Sequence, residues 1–337
     1  MNKLPEYQKP FTASDLPIDE EGRIYHLQIK PEQIAPDILI VGDPGRADFI
    51  GSNFLCDLEL EHENRGLMTV TGTSTCSGEL ATIISPVRAC ATTSGMGTPS
   101  LEIVLNELVA LNEIDFETRT RKLDYPRLHI IRVGSSGGLQ ASTKLDTPII
   151  TTYAIGIDNT GLFYESPFPD EICDRLETQV VELINNSMNP LSRFQGMIHP
   201  YVSRTEPILV KAMLEISEKL GIFTKAGLTI SAPGFFNPQG REISRVKSGV
   251  PELDKLFAEF DPGLDGQQVE NMEMETSFLA HFLGGMGYWA GSICPAIANR
   301  RQDTFSSQYQ DGMWDAINIA LLALAQTRER FPDSSMR

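Results

Sequence analysis

Along this chain, short runs of β-branched and apolar residues alternate with longer stretches in which apolar side chains return every three or four positions. "DILIV" (37–41), "GLMTVTGTSTC" (66–76), "ELATIISPVRACATTSG" (79–95), "LHIIRV" (128–133), "TPIITTYAIGID" (147–158), "AGLTIS" (226–231) and "YWAGSICPAIANR" (288–300) read as strands. The segments 66–76 and 79–95 predict a hairpin closed by a Gly-containing turn. Helical spacing is clearest in "TPSLEIVLNELVALNEI", where Leu101, Val104, Leu105, Leu108 and Val109 share a face and Pro99 suits the first turn. The same period predicts helices over 170–187, 206–221, 271–287 and 311–331. Strands that alternate with helices argue an α/β fold, a three-layer sandwich in which a central mixed β-sheet is flanked by helices. Residues 1–22 are polar and Pro-bearing and read as an N-terminal arm. No linker, repeat or charge block divides the rest of the chain, so residues 23–337 are expected to form a single α/β domain.

Composition narrows the function. The 337 residues are 41% hydrophobic and 22% charged, ordinary for a globular protein. Acids outnumber bases 45 to 28, for a net charge of −17. That balance, with no basic stripe, argues against nucleic acid and anionic membranes as partners. An anionic substrate would need arginines gathered locally against the global field. The five cysteines, Cys56, Cys76, Cys90, Cys173 and Cys294, lack metal-ligand or redox spacing and read as free thiols of a reducing compartment. With no signal-peptide core and no apolar run near the ~20 residues of a membrane span, a cytoplasmic location is expected.

Four loops at the expected strand ends, and the stretch 234–242, have unusual composition. "VGDPGR" (41–46) offers two glycines and an arginine that could clamp an anion, although Gly–Asp–Pro–Gly is also simply a turn. "SGMGTPS" (94–100) sets a Gly-rich turn before a helix, which suits either phosphate or a tight connection. "RVGSSGG" (132–138) puts Arg132 in a buried strand; no acid adjoins it in sequence, so an exogenous anion is an attractive partner. "NMEMETS" (271–277) places Glu273 and Glu275 around Met274. They share a site only if this entry to the helix is extended, and otherwise form an acidic, solvated helix start. "GFFNPQGRE" (234–242) joins paired phenylalanines to a Gln–x–Arg element, able to stack on a flat ring and read its edge. Anion, sugar diol and planar polar ring together describe a nucleoside plus phosphate.

In order and spacing, "VGDPGR", "SGMGTPS", "RVGSSGGLQ", "FFNPQGR", "NMEMETS" and "ANR" resemble the uridine phosphorylases of the nucleoside phosphorylase-I family, over about Tyr25 to Gln302. The resemblance implies that family's fold and the reversible phosphorolysis of uridine to uracil and α-ribose 1-phosphate. No metal-ligand spacing appears in the sequence, so a metal-independent reaction without a cofactor is expected, inorganic phosphate being a co-substrate. Gly42, Arg46, Arg65, Arg132 and Ser135 would hold phosphate; His26, Met274, Glu275 and Ser135 the ribose; Phe235, Gln239, Arg241, Ser136, Gly137 and Arg300 the uracil. Arg132, Arg241 and Arg46 would carry the catalysis, by charge rather than as nucleophiles or acids. His26 and Arg65 look like residues lent by a second copy, so a homodimer with shared sites is implied. Purine-specific relatives carry an aspartate where "PAIANRRQD" has Asn299 and Arg300, which favours a pyrimidine. The alternatives are the same reaction on deoxyuridine, thymidine or a purine nucleoside, and a silent nucleoside-binding protein.

Overall fold

The computed structural model describes residues 9–75, 84–332 and 335–336. Residues 1–8 of the arm, Cys76 and the expected turn between the 66–76 and 79–95 segments lie outside them. The chain divides into two compact units: one comprises residues up to Gly95, Ser100–Ile130 and the end from Leu324, the other Met96–Pro99 and Ile131–Ala323.

In the first unit, β1 (Asp37–Val41) is wholly buried and pairs in parallel with β4 (Arg88–Thr93), in keeping with its apolar run Ile38–Val41. Between them, α1 (Pro44–Phe54) leads to β2 (Leu55–Asn64) and β3 (Leu67–Ser74), antiparallel to each other, with β3 antiparallel to β4. Helix α1 packs on β2, β3 and β4. Only Arg65 and Gly66 separate β2 from β3, and both have positive φ (56° and 76°), the backbone a two-residue hairpin needs to match strand twist. Helix α2 (Thr98–Glu113) buries Leu101, Leu105 and Leu108 as its periodicity predicts. The short strands β5 (Ile114–Asp115), β6 (Thr120–Arg121) and β7 (Tyr125–Pro126) come next, then β8 (His129–Val133), whose residues are divided between the units. The described part of the arm is tied down here: Phe11 N–H donates to the Arg119 carbonyl at 2.8 Å, and Arg119 Nε donates back to the Phe11 carbonyl at 2.9 Å.

The second unit contains β9 (Ser136–Gly138), β10 (Pro148–Gly156), α3 (Glu171–Ser187), β11 (Tyr201–Arg204), α4 (Pro207–Leu220), β12 (Lys225–Ser231), α5 (Leu253–Glu259), β13 (Val269–Glu273), α6 (Thr276–Gly285), β14 (Trp289–Asn299), β15 (Thr304–Phe305) and most of α7 (Gln310–Arg330). Its strands run β11-β10-β12-β13-β9-β14, with β10–β12–β13 parallel and β11 antiparallel to β10. This is the α/β architecture with a mixed, helix-flanked sheet that the sequence implies.

Alternation within these strands creates the ground for a site. Tyr153 and Ile155 of β10, and Leu228 and Ile230 of β12, form one core with α3 and α5. The alternate positions, Thr229 and Ser231, are also fully buried but polar, and β13 adds Asn271 and Glu273. Buried polar atoms need partners. Thr229 Oγ1 donates to Asn271 Oδ1 at 2.7 Å, and Ser231 Oγ accepts the Ser277 N–H at 2.8 Å where α6 begins.

Candidate active site

Segment 271–287 departs from the continuous helix its spacing predicts: β13 carries the chain to Glu273 and α6 starts at Thr276. The physical reason is Glu273 itself. Its carboxylate accepts the N–H groups of Glu275 at 2.9 Å and Thr276 at 3.1 Å, taking donors that open the helix, and it also accepts from Ser231 Oγ. The extended entry brings both acids of "EME" to one place. Glu273 and Glu275 are 3% and 4% exposed, so they are not a solvated helix start.

What they meet is Arg132, at the end of β8 and 5% exposed. Its guanidinium lies 3.0 Å from Glu273, contacts Glu275 directly and donates to Cys294 Sγ at 2.8 Å. An exogenous anion is therefore not required to balance Arg132, as the lack of an adjoining acid had suggested: two acids distant in sequence supply its counter-charge. Burial works against the charge on Arg132, but Glu273 and Glu275 outweigh it and raise its pKa. Burial pushes the Glu275 carboxyl up, against the pull of Arg132. Glu275 also accepts the Gly97 N–H at 2.5 Å, so this amide of "SGMGTPS" is directed at a carboxylate. Gly134 lacks the Cβ that would overlap the Arg132 guanidinium folded across it. Met274, between the acids, is half-buried, its methyl 3.8 Å from the Cβ position of Gly97. Ser135 is half-buried, while Ser136 is buried in β9 and its hydroxyl accepts from Asn271 Nδ2 at 2.9 Å.

The middle of "FFNPQGR" forms a single 3₁₀ turn, Asn237–Gln239, closed by Gly240 at φ 73°. Gln239 is buried, and its side-chain oxygen accepts from Arg241 Nη1 at 2.6 Å. The same Nη1 donates to the Phe235 carbonyl at 2.7 Å, and the guanidinium carbon lies 3.7 Å from the Phe235 ring centroid. Phe235 and Phe236 are both 49% exposed and meet edge to face. Burial, then the neighbouring Arg300, lowers the Arg241 pKa to about 10, which leaves it cationic at neutral pH. Arg300 Nη2 donates to the Gln239 carbonyl at 2.5 Å. Gly137 adjoins this cluster: a Cβ on it would sit 3.9 Å from Arg241 Nη2. Asn299 faces elsewhere, its amide donating to the carbonyls of Gln140 and Thr143 at 2.9 and 2.7 Å.

In the first unit, Asp43 caps α1 by accepting the Arg46 N–H at 2.9 Å, and its carboxylate lies 3.2 Å from the half-buried Arg46 guanidinium. The turn reading of "VGDPGR" thus has real content, and Gly42 immediately precedes it. His26 Nδ1 is 2.7 Å from Glu107 Oε1, and the His26 carbonyl accepts from Asn64 at 2.8 Å. Arg65, exposed on its hairpin, stacks on the Tyr25 ring at 4.9 Å and donates to its hydroxyl at 3.0 Å.

The structure therefore gathers Arg132 with Glu275, and Gln239 with Arg241, Arg300, Gly137 and Phe235, in the second unit; in the first it gathers His26 with Arg65 through Tyr25 and Asn64. Glu273 and Asn271 organise the site although the resemblance gives neither a role; both lie within the quoted "NMEMETS", Glu273 as the partner of Glu275 in its acidic pair. Among the described residues no group of three or more His, Cys, Asp or Glu side chains is arranged to hold a metal ion, and no helix is long and apolar enough to cross a membrane.

Known proteins resemble this chain in sequence and fold. The chain is 28% identical over 299 residues to a uridine phosphorylase of Thermococcus kodakarensis, spanning 88% of this chain and 84% of that one. It is 28% identical over 212 residues to a DeoD-type purine nucleoside phosphorylase of Alkaliphilus metalliredigens, spanning 63% and 68%. A crystal structure of a Trypanosoma brucei nucleoside phosphorylase described as showing uridine phosphorylase activity superposes with a TM-score of 0.81 at 26% identity, over 93% of this chain and 100% of that one. Residues 36–324 match the family model of the Phosphorylase superfamily, and the chain belongs to that family.

Proposed function

We propose that this protein catalyses the reversible phosphorolysis of uridine. The observation that carries the reading is the Gln239–Arg241–Arg300 cluster, a buried amide held against a stacked, half-buried cation. Gln239 offers a donor and an acceptor to a pyrimidine edge, and Arg241 offers donors to a ring carbonyl. In the reaction a phosphate oxygen bonds to C1′ as the C1′–N1 bond breaks, and the electron pair leaves with the base. Negative charge then spreads onto the uracil carbonyls, and a cation already fixed beside them stabilises that state more than the ground state. The departing anion takes its proton from water, so no side chain needs to act as an acid.

Arg132 and Ser135 are assigned to phosphate, and Glu275, Met274 and Ser135 to ribose. Arg132 would exchange part of its carboxylate pairing for the phosphate, and Glu275 would accept from the sugar hydroxyls. Phe235 would stack on the base, with Ser136 and Gly137 lining its edge. The phosphate roles of Gly42, Arg46 and Arg65 and the ribose role of His26 rest on the resemblance, and a cytoplasmic location rests on the free-thiol reading of the cysteines. The likeness to the Thermococcus and Trypanosoma proteins supports uridine; the likeness to the Alkaliphilus protein keeps a purine nucleoside as the second reading. The deciding experiment offers uridine, deoxyuridine, thymidine and inosine to the purified protein with and without phosphate. Phosphate-dependent release of uracil is expected. Release of hypoxanthine from inosine with none from uridine would transfer the assignment to purines.

A further inference from the structure

Two half-buried arginines, Arg241 and Arg300, stand beside one another in the base-recognition cluster, and like charges so placed repel. Something must hold them there. The acids nearest along α5 are otherwise engaged: Glu252 pairs with Lys255, and Glu259 lies 2.9 Å from Arg301. Asp254, the second residue of α5, faces the loop instead. Its Oδ2 lies 3.4 Å from Arg300 Nη1, the two side chains being only 13% and 20% exposed. Its Oδ1 occupies the side of Gly240 where a side chain would start, overlapping the position a Cβ would take. Gly240 is the residue between Gln239 and Arg241, and Arg300 in turn donates to the Gln239 carbonyl. One carboxylate thus touches the loop twice, through an arginine and through a glycine.

We propose that Asp254 is the positioning residue of the base end of the site, which fixes Arg300 against the Gln239 carbonyl and seats Gly240 so that Gln239 and Arg241 face the base in one register. The inference rests on the phosphorolysis reading for what the loop binds, but not for the contacts themselves. Arg300 becomes a brace held by Asp254 rather than a primary reader of the ring. Asp254 also opposes the drop in the Arg241 pKa, which ties its charge to the cation that meets the base. Because Asp254 acts on the base end, its loss should be felt by the nucleoside and not by phosphate.

The test compares Asp254→Asn, Arg300→Gln and the double variant with wild type. Asp254→Asn is expected to raise KM for the nucleoside about tenfold while KM for phosphate stays within about twofold, a split that general unfolding does not produce. The double variant should be no worse than the more damaging single one, because the two residues act through one contact. Equal changes in both KM values, no change in either, or strictly additive losses would overturn the proposal. Should wild type cleave inosine instead of uridine, the same split is measured with inosine. Should it cleave no nucleoside, the phosphorolysis reading fails, and phenylglyoxal modification of Arg300, followed by peptide mass spectrometry, decides for Asp254. Loss of the ion pair should speed that modification severalfold in Asp254→Asn, and an unchanged rate refutes it.

Discussion

A guanidinium buried as deeply as that of Arg132 would cost several kcal/mol without compensation, and two carboxylates provide it. The arrangement has a consequence for catalysis, because a phosphate that uses Arg132 must share it with Glu273 and Glu275. Gly134 makes the arrangement possible. We predict that Gly134→Ala displaces the guanidinium, lowers kcat/KM by about a hundredfold or more, and destabilises the fold by up to about 3–5 kcal/mol through unpaired buried charge. Nucleoside turnover and urea unfolding measure the two effects, and a fully active variant with an unchanged midpoint would refute this geometry. The sequence showed that Arg132 needed a partner, since charge inside a strand is conspicuous. It could not show which one, because Glu273 and Glu275 lie far along the chain and meet Arg132 only through the sheet. Gln239 and Arg241 were legible because two residues of separation keep both on one small turn. Asp254 was not, because one acid among 45 carries no mark until its neighbours in space are known.

Elements were legible where their own pattern determines them. The buried strands β1, β10, β12 and β14 and the helices α2, α3, α4 and α7 follow from local periodicity. The short pairings β9 and β11 do not, since three or four residues set no period and both depend on neighbouring strands. The break between β13 and α6 was hidden because a carboxylate, not a glycine or proline, makes it. Capping by side chains can nonetheless be tested directly. Asp170 caps α3 by accepting the Cys173 N–H at 2.9 Å, and it also accepts from Tyr153 at 3.1 Å and Arg204 at 3.0 Å. Burial raises its pKa, but the Cys173 N–H, Tyr153 and Arg204 outweigh that, so its folded pKa lies below the ordinary value of 3.8. For a carboxyl lowered in this way, the folded state releases its proton more readily than the unfolded state does. The stabilisation is complete above 3.8 and is lost as pH falls through the folded value. Asp170→Ala should cost about 1–2 kcal/mol at neutral pH, and Asp170→Asn should lack this component of the acid-side decline. Urea midpoints measured from neutral pH down to pH ~2 would show it; parallel profiles for wild type and Asp170→Asn would exclude the role.

At the scale of the whole molecule, the question is whether one copy of the chain carries a complete site. His26 and Arg65 are held as a unit, His26 by Glu107 and Asn64, and Arg65 by the ring and hydroxyl of Tyr25. Arg65 stands exposed at a hairpin tip, which is where a residue offered to another molecule belongs. If these residues serve a second copy, defects in them and in Arg241 must complement. His26→Ala leaves a chain that reads its own base but cannot complete its partner's site; Arg241→Ala does the reverse. A mixed dimer of the two then has one intact site and one doubly damaged site. Random re-association makes half the dimers mixed, so the mixture should recover about a quarter of wild-type activity, from two preparations each nearly inactive. Activity should appear with the kinetics of subunit exchange and vanish on dilution below the dimer's dissociation constant. No recovery in a mixture shown by mass to contain mixed dimers would mean that His26 acts within its own chain. Recovery well above a quarter would mean that one of the two residues is dispensable.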